Sequence, residues 1–199
     1  MNDVHALPWA TETVYIIGGG PSAARFDLSA LEGIVVGVND SAVHAPCDVA
    51  FSASPPWVRA RRRFLTNFAG CVVVVSMHGE RINRKCRLAR PVLGVQIGDD
   101  RPRVAHNSGH EALRWVADMG ARHVVLIGFD MDPAEPVNWH DGYEWMPDKA
   151  SDKMFDFAAW VDAFDATAEE LAERGVTIWN ANPDSQIRCF PFTEIPCVS

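Results

Sequence analysis

The sequence predicts an α/β protein: one domain with a mostly parallel sheet and helices on both faces. Three observations predict it. Short apolar, β-branched runs recur along the chain, segments of helical periodicity separate them, and small polar residues come after nearly every run. Strands that are apolar throughout belong to parallel sheets buried on both faces. Polar residues beyond the carboxyl ends of such strands are where a doubly wound sheet builds its site.

The run 13–19 (TVYIIGG) is β-branched and closed by glycines, so it reads as a strand. The stretch 22–33 carries a short helix or turn ending at Gly33, and 34–40 (IVVGVND) is a second strand. A third lies at 47–54 (CDVAFSAS). Prolines then open a helix over 55–70 that Gly70 stops. Residues 71–77 (CVVVVSM) are a fourth strand and 91–98 a fifth. The stretch 107–121 is a helix with Leu113, Val116 and Ala117 on one face, and 123–131 (HVVLIGFDM) is the next strand. A long amphipathic helix over 153–175 closes at Gly175, and 176–182 (VTIWNAN) is the last strand. Residues 132–152 are Pro-rich and aromatic, and a loop of that length is expected to be functional or mobile.

Composition narrows the class. With 199 residues, 48% hydrophobic and 22% charged, the chain has material for one packed core. No apolar run has the length of a membrane span, and the first residues lack the basic and apolar regions of a signal peptide, so a cytoplasmic location is expected. The five cysteines are scattered, which argues against a disulfide framework or zinc ribbon. The net charge is −8, yet residues 59–103 hold eleven Lys and Arg against Glu80, Asp99 and Asp100. That segment is either a solvated basic face or the attraction for an anionic acceptor.

The strand ends supply the candidate site. Gly18, Gly19, Gly20, Pro21 and Ser22 come after the first strand, and glycines let backbone amides approach a phosphate. The same residues also suit a plain strand-to-helix turn. No Gly-Lys-Ser/Thr is present there, so it is not a P-loop, and Pro21 and Ala23 break a dinucleotide fingerprint. Asn39 and Asp40 end the second strand, where a carboxamide suits a ribose hydroxyl or a base edge; a cap would use the same residues. Ser54 ends the third strand. Asn107, Ser108 and Gly109 open a helix, as cap or as a second anion cradle. Asp130 ends the sixth strand, with Asp132 beyond it; they are ligands for Mg2+ with phosphates, or caps. His140 lies in the long loop and is the candidate general base, the alternative being a surface histidine. Trp139, Tyr143 and Trp145 form a lid or a plug. His106 and His110 share i, i+4 spacing but have no third ligand in the sequence, so no metal site is assigned.

These blocks resemble one superfamily. VYIIGGGPS, the strand ending at Asn39, NSGHEALRWVADMGARHVVLIGFDM and WNANPDSQIRCFP occur in order over most of 13–190. They are similar to the 6-hydroxymethylpterin diphosphokinase-like proteins, to the bacterial lipooligosaccharide sialyltransferases and to short phage-encoded members of the group. The resemblance implies a Rossmann-like fold. In the sialyltransferases the Gly-x-Gly-Pro-Ser turn and the Asn after the second strand hold a cytidine nucleotide. That matches Gly18, Gly20, Pro21, Ser22 and Asn39, with Ser54, Asn107, Ser108 and Gly109 as further contacts and His140 as base. Two tyrosines that steady the donor phosphate there have no secure counterpart; Tyr143 alone is near. The diphosphokinases would use ATP and a divalent cation, with Asp130 helping. The implied function is a transferase with a nucleotide-activated donor, a sugar nucleotide or a nucleoside triphosphate. The alternatives are a non-catalytic nucleotide-binding module and a Mg2+-dependent diphosphokinase.

Overall fold

A computed structural model describes residues 3–75, 93–95, 107–133, 138–140, 156–195 and 197, with 93–95 as backbone alone. Seven strands form one sheet: β1 (Thr13–Ile17), β2 (Ile34–Val38), β3 (Val49–Ser52), β4 (Cys71–Val75), β5 (Leu93–Val95), β6 (His123–Ile127) and β7 (Thr177–Asn180). Every pairing between them is parallel, in the order β5-β4-β3-β2-β1-β6-β7. The order reverses between β1 and β6, the switch point where sheets of this kind place their ligand sites. Val14 pairs with Ile34 on one side and Val124 on the other, so the turns after β1 and β6 emerge side by side.

Five α-helices are described: α1 (Ser41–His44), α2 (Pro55–Ala60), α3 (Arg62–Asn67), α4 (Ser108–Asp118) and α5 (Phe157–Glu173). Strand periodicity sorts the core into two layers. Val14, Ile16, Val36, Phe51, Val73 and Leu126 pack against Leu113 and Val116 of α4 and Phe164 and Leu171 of α5. On the opposite face Ala50, Val72 and Val74 meet Trp57, Val58 and Leu65 of α2 and α3. Beside them Val125 and Ile127 pack on Ala23, Phe26 and Trp139. Helices thus cover both faces, as the apolar runs predicted.

Two local expectations are corrected, and the short helix or turn expected after β1 takes a definite form. The single helix expected over 55–70 breaks at Arg61 (φ −94°, ψ 17°), whose Nε donates to the buried Asp40 carboxylate at 2.6 Å. The stretch after β1 is two 3-10 turns, Pro21–Arg25 and Leu28–Ala30, the second capped by Asp27 on the Ser29 amide. β1, β2, β3, β6 and β7 stop two to four residues earlier than their apolar runs, because the terminal glycines and polar residues lie in turns and loops. Among the described residues no helix is long and apolar enough to cross a membrane. Four cysteines there are free thiols, and burial pushes the Cys47 thiol up to about 12.

Candidate functional site at the strand ends

A phosphate-binding turn needs backbone donors that face outward. The turn after β1 spends its donors inward. Gly18 N donates to Ile127 O (2.7 Å), Gly20 N to Gly128 O (2.8 Å) and Ala23 N to Gly20 O (3.1 Å). Pro21 has no N–H. Ser22 gives its amide to Asp130 Oδ1 (3.2 Å) and its hydroxyl to Asp130 Oδ2 (2.8 Å). Only the Gly19 amide lacks an internal acceptor among the described residues. The glycines serve packing: a Cβ on Gly18 would lie 2.6 Å from Gly128 O, and one on Gly20 would lie 2.0 Å from Asp130 Oδ2. The expected phosphate contact is therefore not built at Ser22, which is 1% exposed and already holds a carboxylate.

Asp130 is the hub of that arrangement rather than a group in the open cleft. Its Oδ1 also accepts from Asn182 Nδ2 at 3.0 Å, and its carbonyl accepts from Gln186 N at 2.9 Å. Ser185 Oγ donates to Phe129 O (2.6 Å) and accepts from Ile187 N (3.0 Å). The polar residues after β7 thus strap the end of β6 to the turn after β1. Burial pushes the Asp130 carboxyl above the usual carboxylate range, against the bonds from Ser22 and the field of Arg25.

A second cluster sits at the ends of β2 and β3. Asn39 adopts left-handed backbone (φ 53°), which Asn tolerates better than most residues. Its Oδ1 accepts from Ser52 Oγ at 2.7 Å, and Ser52 Oγ accepts from Ser54 N at 3.0 Å. That relay fixes the amide's orientation and leaves the half-buried Asn39 with its NH2 end as a donor. Ser54 caps α2 by accepting from Trp57 N (3.4 Å). Ser108 Oγ accepts from Ala53 N (3.2 Å) and so brings the start of α4 onto this loop. Asn107 caps α4, its Oδ1 accepting from Gly109 N (2.8 Å) and His110 N (3.1 Å). Its Nδ2 is a buried donor with no acceptor among the described residues. Gly109 has no room for a side chain: a Cβ would lie 2.6 Å from the Phe129 ring.

Asp40 does not join this cluster. It is 0% exposed and turns toward α2, accepting from Trp57 Nε1 (2.8 Å) and Arg61 Nε (2.6 Å). Its neighbour Asn39 is bonded instead to Ser52 at the end of β3. His110 is also committed: it is buried, its Nε2 lies 2.8 Å from Thr167 Oγ1, and burial lowers it to about 4. No group of three or more His, Cys, Asp and Glu able to hold a metal exists among the described residues. Asp132 is exposed, and His106, Tyr143 and Trp145 lie outside the described residues.

His140 is brought to the glycine turn. Trp139 N donates to Gly19 O at 3.0 Å, and its indole Nε1 donates to Gly18 O and Ser41 Oγ, both at 3.2 Å. His140, 9% exposed, stacks on His44 with ring centres 5.1 Å apart and planes 10° apart. Sequence reasoning missed His44 altogether, since no motif surrounds it. It missed Ser52 as the residue that orients Asn39, although Ser52-Ala-Ser54 stands at a strand end.

These features define a doubly wound α/β protein with polar clusters at the carboxyl ends of its strands. No family model and no curated protein matches the chain. Solved structures do match. The sialyltransferase CstII from Campylobacter jejuni, in complex with a substrate analogue, cytidine-5'-monophosphate, aligns with 93% of this chain and 86% of its own, at TM-score 0.61 and 13% identity. The monofunctional alpha-2,3-sialyltransferase Cst-I from Campylobacter jejuni aligns with 91% of this chain and 80% of its own, at TM-score 0.62 and 13% identity. CST-II in complex with a trisaccharide acceptor and CMP gives 90% and 85%, TM-score 0.58 and 14% identity. The chain has the fold of these bacterial sialyltransferases.

Proposed function

We propose that the chain is a glycosyltransferase that takes a nucleotide-activated sugar, with the nucleotide seated at the ends of β2 and β3 against the start of α4. One observation carries the reading: the buried Asn107 Nδ2 donor has no acceptor among the described residues, and the oriented Asn39 carboxamide stands at the adjoining strand end. A buried orphan donor costs about 1–3 kcal/mol, which a ligand oxygen repays. The likeness to proteins solved with CMP supports a cytidine nucleotide as the first ligand to try.

In this reading Asn39, Ser54, Asn107, Ser108 and Gly109 contact the nucleotide, and Gly18–Ser22 with Asp130 form the floor beneath it. His140 takes the proton of an acceptor hydroxyl as that oxygen bonds to the anomeric carbon. The bond from that carbon to the phosphate oxygen breaks, and the start of α4 favours the charge left on the nucleotide. Arg59, Arg62 and Arg63 are exposed, Arg61 is held by Asp40, and the remaining cations of 59–103 lie outside the described residues. The exposed cations would draw an anionic acceptor.

The test is a titration of CMP, UMP, ADP and ATP, with and without Mg2+, monitored by thermal shift and tryptophan fluorescence. CMP at ~100 times its Kd adds about 2.7 kcal/mol of stability. Asn107→Ala should weaken CMP by about tenfold, and His140→Ala should abolish transfer from a CMP-sugar while leaving CMP binding intact. ATP bound only with Mg2+ points instead to the diphosphokinase reading. Binding without turnover points to the non-catalytic module, and no nucleotide bound at all sinks the proposal.

A further inference from the structure

Two carbonyls of the glycine turn, those of Gly18 and Gly19, converge on one distant residue. Gly19 O accepts from Trp139 N, and Gly18 O accepts from Trp139 Nε1 (3.2 Å) and Ser41 Oγ (2.8 Å). The Ser41 hydroxyl accepts the same indole N–H at 3.2 Å. Trp139 is therefore fixed twice, by its main chain to Gly19 and by its side-chain tip to groups 121 and 98 residues earlier. Its ring body packs against the buried clusters formed by Ala23, Phe26, Val125 and Ile127 and by Ile17, Val35 and Ala45. A residue held at both ends can neither slide nor swing.

His140 is the next residue. Its ring meets Trp139 edge-on at 5.8 Å (70°) and stacks on His44 at 5.1 Å, while Trp139 also meets His44 edge-on at 6.1 Å (76°). The three rings form one contact set over α1. We propose that Trp139 is a positioning residue: the glycine turn is a carbonyl clamp for its indole and main chain, and the clamp sets the His140 imidazole against His44. The inference rests on His140 being the base of the proposed transfer.

Trp139→Phe isolates the clamp, since it keeps an apolar ring and deletes the N–H. Two readouts separate positioning from packing. In the wild type, ring currents shift the His140 carbon-bound protons in an NMR spectrum. In Trp139→Phe they move toward free-histidine positions, and kcat for transfer from CMP-sialic acid falls about tenfold with KM for that donor unchanged. Ser41→Ala, which removes one of the two indole acceptors, should do the same more weakly, and it carries the test where Trp139→Phe does not fold. Unmoved His140 protons in the folded variants overturn the clamp, as does a rise in KM at constant kcat, which would put Trp139 on the ligand. If His140→Ala leaves turnover intact, the base reading fails, while the proton shifts still decide whether the clamp exists.

Discussion

Asp130 gives a sharp test of whether the turn is held by hydrogen-bond geometry or by charge. Asp130→Ala leaves three buried donors facing a void: Ser22 N, Ser22 Oγ and Asn182 Nδ2. The hydroxyl can rotate to another acceptor, but the amide and the carboxamide cannot. At about 1–3 kcal/mol for each fixed orphan, plus a small cavity, the cost is about 3–5 kcal/mol. That is a large share of the ~5–15 kcal/mol that holds a domain together. Asp130→Asn behaves differently. Its oxygen at the Oδ1 position keeps Ser22 N (3.2 Å) and Asn182 Nδ2 (3.0 Å). Its NH2 then faces Ser22 Oγ across 2.8 Å, and that hydroxyl turns to accept. The expected cost stays below about 1 kcal/mol. The pH dependence has a definite sign. Burial holds the Asp130 carboxyl above its unfolded value, so the folded chain takes up this proton first on acidification. The stability linked to this group is present at low pH and is lost as pH rises through the folded pKa. Asp130→Asn therefore compares best with the wild type at neutral pH and loses ground to it in acid. Urea unfolding read by tryptophan fluorescence shows both effects as midpoint shifts at constant m. If Asp130→Asn is as damaging as Asp130→Ala, charge holds the turn and the hydrogen-bond account is wrong.

The same packing makes two further predictions. Thr167 Oγ1 spends its hydrogen on Ala163 O (2.6 Å), so the His110 Nε2 must carry a proton and its buried Nδ1 is a lone pair. His110 ionises near 6.5 unfolded and about 4 folded, so between those values the unfolded state binds more protons and stability falls on acidification, by about 3 kcal/mol in all. His110→Leu should flatten that fall in urea midpoints measured from pH 7 to 4, and an unchanged slope refutes the assignment. Gly20→Ala should destabilise by more than about 2 kcal/mol, because its Cβ meets Asp130 Oδ2 at 2.0 Å and Gly128 O at 2.7 Å. In an Asp130→Ala background part of that penalty disappears, and strict additivity in the double-mutant cycle argues against the contact.

The fold was legible because central strands such as β2 and β3 are buried at every residue and so read as apolar runs. The residues beyond a strand end are legible only by type. Gly18–Ser22 looks like a phosphate cradle because glycine and serine leave donors accessible in principle. Whether those donors are accessible in fact depends on Asp130, 108 residues later. The break at Arg61 has the same origin, since its cause is Asp40, 21 residues earlier. Asn39 and Asp40 read as a pair in sequence, but Asn39 bonds to Ser52 at the end of β3 while Asp40 is held by Trp57 and Arg61. His44 carried no signal in sequence, because stacking leaves no spacing pattern.

The two anion-ready features of the fold are not equivalent, and this bears on chemistry. The turn after β1 already contains its anion, the Asp130 carboxylate, and offers a ligand one amide, Gly19 N. The start of α4 is capped by a neutral side chain whose other end is a donor with no acceptor among the described residues. A second negative charge beside Asp130 would be repelled in a poorly solvated site, whereas one beside Asn107 would meet a donor and a helix dipole. If a nucleotide binds this cleft, its phosphate belongs at α4 and an uncharged part lies over the glycine turn. That order sets the reacting centre between the two, within reach of the segment that the turn's carbonyls hold.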